Sequence, residues 1–159
     1  MDGLISAWLS LSAEFRQQYE LVVAGMPGWH ADATLRRLRD DVRYLGYVDE
    51  RWMAGLTAGA RALVYPSFYE GFGFPVAQAL AAGCPVITSG VSSLPEVTGD
   101  AASFVDPYST GEIAAAIRRL GESDSLCIRL RLAGRERARL FSWERSARSS
   151  LEFFRALAG

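Results

Sequence analysis

Apolar residues along this chain follow two alternating rhythms. Short continuous runs have the length and composition of strands buried on both faces: Leu21-Val22-Val23-Ala24, Val42 to Leu45, Ala62-Leu63-Val64-Tyr65, Pro85-Val86-Ile87-Thr88 and Ala102-Ser103-Phe104-Val105. Between them lie segments of helical period, predicted at about 33–40, 49–58 and 75–82, with a short helix near Pro95. An opening helix is expected with Asp2 as its cap and Leu4, Ile5, Trp8, Leu9, Leu11 and Phe15 on one face. Helices and strands in strict alternation predict an α/β protein with a doubly wound parallel sheet. The end of the chain changes character: helices at about 109–121, 124–139 and 142–157 follow one another without a strand. In the last, Trp143, Ala147, Leu151, Phe154 and Leu157 keep one side apolar. The expectation is one domain over 1–159, with 109–159 as its helical tail.

Composition narrows the function classes. A chain of 159 residues with half its residues apolar can bury one sizeable core. A net charge of −1 gives no electrostatic reason to expect a nucleic-acid partner. Every basic side chain is Arg, and eight lie between Arg129 and Arg155 among Glu136, Glu144 and Glu152, which reads as a solvated helix face. Cys84 and Cys127 lack metal-ligand spacing, and Cys84 is expected as a small buried thiol in a reducing compartment. No basic segment precedes the first apolar residues, and no apolar run reaches bilayer length. A cytoplasmic location is therefore expected, with the inner face of the membrane open to an acceptor.

The chemistry is concentrated in Pro66-Ser67-Phe68-Tyr69-Glu70-Gly71-Phe72-Gly73-Phe74-Pro75. This stretch leaves a buried strand and enters a helix, the place where open parallel sheets bind ligands. Pro75 suits the first helical turn, and unpaired N–H groups at the tip suit an anion. Gly71 and Gly73 let the backbone approach a ligand, and Glu70 accepts hydrogen bonds from hydroxyls. The residues alone point to a ligand with a phosphate and several hydroxyls.

The segment from Glu70 through Gln78 and Gly83 to Ile87 resembles the signature of retaining glycosyltransferases of family 4, the glycosyl transferases group 1. Val42-Arg-Tyr-Leu-Gly-Tyr-Val48, Ser92-Ser-Leu-Pro-Glu96-Val-Thr-Gly-Asp100 and Phe141-Ser-Trp-Glu144 are similar to three further motifs of that family in order and spacing. Gly25-Met-Pro-Gly-Trp29 is most similar to bacterial mannosyltransferases of polysaccharide assembly. The resemblance implies a Rossmann-like domain, the C-terminal half of a GT-B fold, expected to lack its first, central strand and the basic diphosphate clamp that follows it. Without that strand, Leu21–Ala24 and Ala62–Tyr65 are expected to pair directly or to borrow a strand, from a second copy for example.

The resemblance also implies roles. Glu70 would be the catalytic-site acid that holds donor-sugar hydroxyls. Backbone N–H groups of Phe72 and Gly73 would meet the sugar, and those of Phe74 and Val76 the diphosphate, with Gly71 in the same turn. Gln78 stands where the family pattern E-x₇-E has a second Glu on the ribose. Gly25, Gly46, Tyr47 and Val48 complete the donor site near the nucleobase. The implied reaction moves a sugar from a nucleoside diphosphate, GDP-mannose favoured and a UDP-sugar as the other choice, to a glycan or lipid-linked acceptor with retention. The acceptor would sit on an N-terminal domain outside this chain, and neither metal nor cofactor is implied. A nucleotide-sugar epimerase of the same fold and a non-catalytic binding module are the rivals; a dehydrogenase lacks its glycine fingerprint after Ala24. His30 and Trp29 are expected as loop and packing residues, and Glu96 as a helix-start carboxylate.

Overall fold

A computed structural model describes residues 1–26 and 42–158 of the chain. The helix expected at 33–40, with Trp29 and His30, lies outside the described residues. In chain order the elements are α1 (Asp2–Leu9), α2 (Ala13–Gln18), β1 (Leu21–Ala24), β2 (Val42–Gly46), α3 (Glu50–Gly59), β3 (Leu63–Tyr65), α4 (Phe74–Ala82), β4 (Val86–Ser89), α5 (Leu94–Thr98), β5 (Ala102–Val105), α6 (Thr110–Glu122), α7 (Asp124–Ala138) and α8 (Trp143–Ala158).

The strands are parallel and fall into two sheets, β1-β2 and β3-β4-β5. Alternation along the three-stranded sheet sends side chains to two cores. Val64, Ile87 and Val105 pack on one side with Trp8 of α1, Ile113 and Leu120 of α6, and Leu21 and Val42 of the small sheet. Leu63, Val86 and Ala102 pack on the other with Val76 and Leu80 of α4 and Leu94 of α5. Both faces are covered, so the central strand β4 is buried at every residue, as a doubly wound sheet requires. Direct pairing of β1 with β3 does not occur: the hydrogen-bonded partner of β1 is β2, and that of β3 is β4. Both strands nevertheless contribute side chains to the same core.

The opening helix differs from its expectation. It ends at Leu9, and α2 starts afresh at Ala13. Two serines explain the break by offering the backbone side-chain partners. Ser10 Oγ donates to the Ala7 carbonyl at 2.7 Å, and Ser12 Oγ caps α2 by accepting from the Phe15 N–H at 3.3 Å. Asp2 lies within the first turn rather than at the cap. The turn carries the Phe15 ring edge-on to Trp8, 6.1 Å between centroids, and against Gly121, where any side chain would collide with it.

Arginines serve the packing more than the solvated-face expectation allowed. Arg61 donates to the carbonyls of Leu120 and Gly121 at the end of α6. From α7, Arg131 donates to the Gly83 carbonyl beyond α4 at 2.9 Å, and Arg137 to the Glu96 and Val97 carbonyls of α5. Last-turn carbonyls lack helical partners, and a cation there also meets the negative end of the helix dipole. The helical tail divides accordingly: α6 and α7 are packed, whereas every residue of α8 from Trp143 to Leu157 is exposed.

Candidate functional site

The loop between β3 and α4 is positioned by serine and threonine hydroxyls from the neighbouring strand. Thr88 Oγ1 donates to the Tyr65 carbonyl at 2.9 Å, and Ser89 Oγ to that of Ser67 at 2.6 Å. Farther on, Ser92 Oγ accepts the Glu70 N–H at 3.0 Å while Ser93 Oγ donates to the Glu70 carbonyl at 2.9 Å. Ser92 is the one non-glycine residue with positive φ among the described residues, at 50°. Left-handed backbone at a serine is uncommon. Here it goes with a hydroxyl set against the Glu70 amide.

Glu70 is half-buried, and its two carboxylate oxygens have different surroundings. Oε1 lies 2.8 Å from the Tyr65 hydroxyl and 2.9 Å from the Ser67 hydroxyl, both of which can donate to it. Oε2 has no hydrogen bond among the described residues. Burial, and next the bond to Glu70, push the Tyr65 phenol up to about 12, so it remains a donor at neutral pH. A carboxylate oriented through one oxygen thus keeps the other for an incoming hydroxyl.

After Glu70 the chain turns into α4 with Gly73 as its N-cap, at φ 92°. A side chain at Gly73 would also come within 2.8 Å of Leu94 Cδ2, so both conformation and space require glycine there. The N–H groups of Gly71, Phe72, Gly73 and Phe74 have no hydrogen-bond partner among the described residues, and Pro75 has no N–H to place. Val76 departs from its expected role. It is fully buried, and its N–H donates to the Gly73 carbonyl at 3.0 Å, the first bond of the helix. Gln78 is exposed on α4 one turn after the exposed Phe74, on the same helix face. Phe72 is wedged between Phe74 and Phe141, with ring centroids 4.9 and 5.6 Å away. Through that contact the Phe141-Ser-Trp motif supports the loop.

Gly25, Gly46, Tyr47 and Val48 form a second group. Gly25 N–H donates to the Gly46 carbonyl at 2.8 Å, and the Tyr44 hydroxyl to the Gly25 carbonyl at 2.9 Å. Both glycines have positive φ and open space where a side chain would stand. Tyr47 is exposed and Val48 half-buried. No hydrogen bond joins this group to the Glu70 loop among the described residues. Sequence reasoning missed the roles of Tyr65, Ser67, Ser92 and Ser93; for the last two the only signal was the density of hydroxyls in Ser89-Gly-Val-Ser-Ser93.

Comparison with known proteins gives a consistent set of relatives. The family model described as glycosyl transferases group 1 matches residues 1–123. The chain is 39% identical to the O-antigen chain mannosyltransferase B of Escherichia coli, over 98% of this chain and 42% of that protein. It is 31% identical to the MMP alpha-(1->4)-mannosyltransferase of Mycolicibacterium hassiacum, over 97% and 39%. Among solved structures, the sucrose-phosphate synthase of Thermosynechococcus elongatus matches with a TM-score of 0.77 at 29% identity, covering 98% of this chain and 42% of that one. HepE of Anabaena, solved with UDP and glucose, matches in fold with a TM-score of 0.75 at 18% identity, covering 87% and 39%. The chain therefore spans about two fifths of these relatives' length, and its fold is that of one half of a GT-B glycosyltransferase.

Proposed function

The chain belongs to the glycosyl transferases group 1 family, and from that premise we propose that it supplies the donor site for transfer of a sugar from a nucleoside diphosphate to a glycan or lipid-linked acceptor. One observation carries the proposal: Glu70 is held through Oε1, and the next four amides, Gly71 to Phe74, have no partner among the described residues. The free carboxylate oxygen accepts hydroxyls of the donor sugar. The amides and the tip of α4 receive the diphosphate, which leaves carrying negative charge. Val76, its amide already engaged, is omitted. Gln78 accepts from the ribose, and Gly25, Gly46, Tyr47 and Val48 border the nucleobase.

In the transfer, the bond between the anomeric carbon and the diphosphate oxygen breaks. A bond to the acceptor oxygen forms on the same face, and the acceptor's proton passes to the departing phosphate. Retention follows without a nucleophile from the protein. GDP-mannose is the favoured donor, because the similar bacterial proteins are named mannosyltransferases; a UDP-sugar is the alternative. The main acceptor-binding surface and a cationic clamp for the diphosphate are assigned to residues outside this chain. A strand entering between β1 and β3, from those residues or from a second copy, would satisfy both edges.

The test is thermal denaturation with GDP, UDP, ADP and their sugars. A ligand at a hundred times its Kd stabilises by about 2.7 kcal/mol, which raises the melting temperature measurably. One nucleotide should do so in the wild type, its sugar should add a further shift, and Glu70→Ala should abolish the sugar's share. No shift with any of them would sink the proposal. Binding without transfer when the relatives' remaining domain is supplied would favour a non-catalytic module, the reading to which Gln78 lends weight. Gln78→Glu should tighten nucleotide binding by about fivefold if that side chain meets the ribose, since a charged acceptor gains about 1 kcal/mol over a neutral one.

A further inference from the structure

Beside the Glu70 loop, two aromatic rings from different loops meet in solvent. Phe68 lies three residues beyond β3, and Tyr108 three beyond β5. Their centroids are 4.6 Å apart at an interplanar angle of 39°, yet Phe68 remains 56% exposed and Tyr108 79%. In the sheet order β3-β4-β5 these strands flank β4, about 10 Å apart by ordinary strand spacing. The pair therefore closes over the loop of β4, whose Ser92 and Ser93 hold the Glu70 backbone. Tyr69, next in sequence to Phe68, is also 78% exposed.

The platform is braced from below rather than by burial. Tyr108 N–H donates to Asp106 Oδ1 at 2.9 Å, and Asp106 N–H to Glu112 Oε2 at 2.9 Å. The Tyr108 hydroxyl has no partner among the described residues. Asp106, itself exposed, sets a carboxylate against the Tyr108 backbone. Exposed ring faces beside a phenolic hydroxyl and a carboxylate suit a pyranose, which offers a C–H face for rings and a rim of hydroxyls for acceptors. A core role does not account for rings this exposed, and contiguous exposed apolar surface next to a polar site marks binding.

We propose that Phe68 and Tyr108 form a stacking platform for a sugar ring of the acceptor glycan, with Asp106 accepting from its hydroxyls. The proposal rests on the reading that the Glu70 corner holds the donor, because only then does a second sugar at this lip lie next to the reacting carbon.

The experiment titrates the chain with mannotriose, maltotriose and cellotriose, following saturation transfer by NMR, alongside the nucleotide thermal shifts. At least one trisaccharide should bind saturably. Phe68→Ala and Tyr108→Ala should each weaken it about tenfold, and Tyr108→Phe, which keeps the ring, should leave it within about twofold. Nucleotide shifts should be the same in all three variants, which also establishes that they are folded. No trisaccharide binding by the wild type, or equal binding by the alanine variants, overturns the platform while leaving the donor reading intact. Absence of any nucleotide shift in the wild type instead fails the donor reading and removes the acceptor role with it.

Discussion

Helices α7 and α8 are neighbours in sequence and near twins in composition, yet one is built into the domain and the other stands away from it. Both are rich in arginine and carry apolar residues at helical spacing. In α7, Cys127 and Leu130 are buried, and Gly134 lets the helix approach α4 so closely that a methyl there would lie 3.1 Å from Leu80 Cδ2. Its guanidinium groups reach the carbonyl ends of α4 and α5. In α8, Trp143 is 81% exposed and Phe154 65%, and the one arginine side chain with a polar partner among the described residues, Arg148, pairs with Glu144 of its own helix. The difference teaches that arginine on a helix is stabilising when its neighbours end in unsatisfied carbonyls and near neutral when they do not.

The sharpest way to break the comparison is to truncate apolar side chains in each helix. Leu130→Ala should destabilise by about 2–5 kcal/mol, because a fully packed leucine leaves a cavity. Leu151→Ala in α8 should fall within about 0.5 kcal/mol of the wild type. Chemical denaturation reads both, and equal losses would mean that α8 is covered in solution. The arginines come next. Arg137→Ala leaves the Glu96 and Val97 carbonyls without their partner, at a cost of about 1–3 kcal/mol. Arg148→Ala removes an exposed pair and should cost about 0.5 kcal/mol or less. Similar costs at the two sites would show that the carbonyl contacts add nothing.

These arginines also mark where sequence reasoning stopped. A solvated helix face and a face that bonds neighbouring helix ends have the same composition, so Arg131 and Arg137 gave no sign of their contacts. The alternation of strands and helices was legible in the short apolar runs, although among the described strands burial at every residue holds for β4 alone, as at Val86 and Ile87, while Val22, Leu45 and Phe104 of other strands are exposed. The start of α4 was legible too, since Gly73 and Pro75 act locally. Its far end closes with Gly83 at φ 69° and the Cys84 N–H on the Ala79 carbonyl, another local device. The bracing of the Glu70 backbone was not legible, because it comes from Ser92 and Ser93, more than twenty residues away. Nor was the break at Ser10 and Ser12, where hydroxyls overrode a continuous apolar stripe. The division of the strands into two sheets lay beyond pattern altogether, for periodicity does not name a strand's pairing partner.

The smallest expected effect is the most informative about α8. Removing residues 143–159 should leave the melting temperature unchanged within about 1 °C, because every residue from Trp143 to Leu157 is exposed. An isolated helix of 16 residues is marginal in water, and its amide protons should exchange far faster than those of α7. Its first turn is capped from within, Ser142 Oγ accepting from the Arg145 N–H at 3.1 Å and the Ser142 carbonyl from the Ser146 N–H at 3.0 Å. Its apolar stripe is then exposed surface rather than part of this core. Strong protection of α8 amides, or a clear drop in melting temperature on truncation, would show that the stripe is already buried and would erase the contrast with α7.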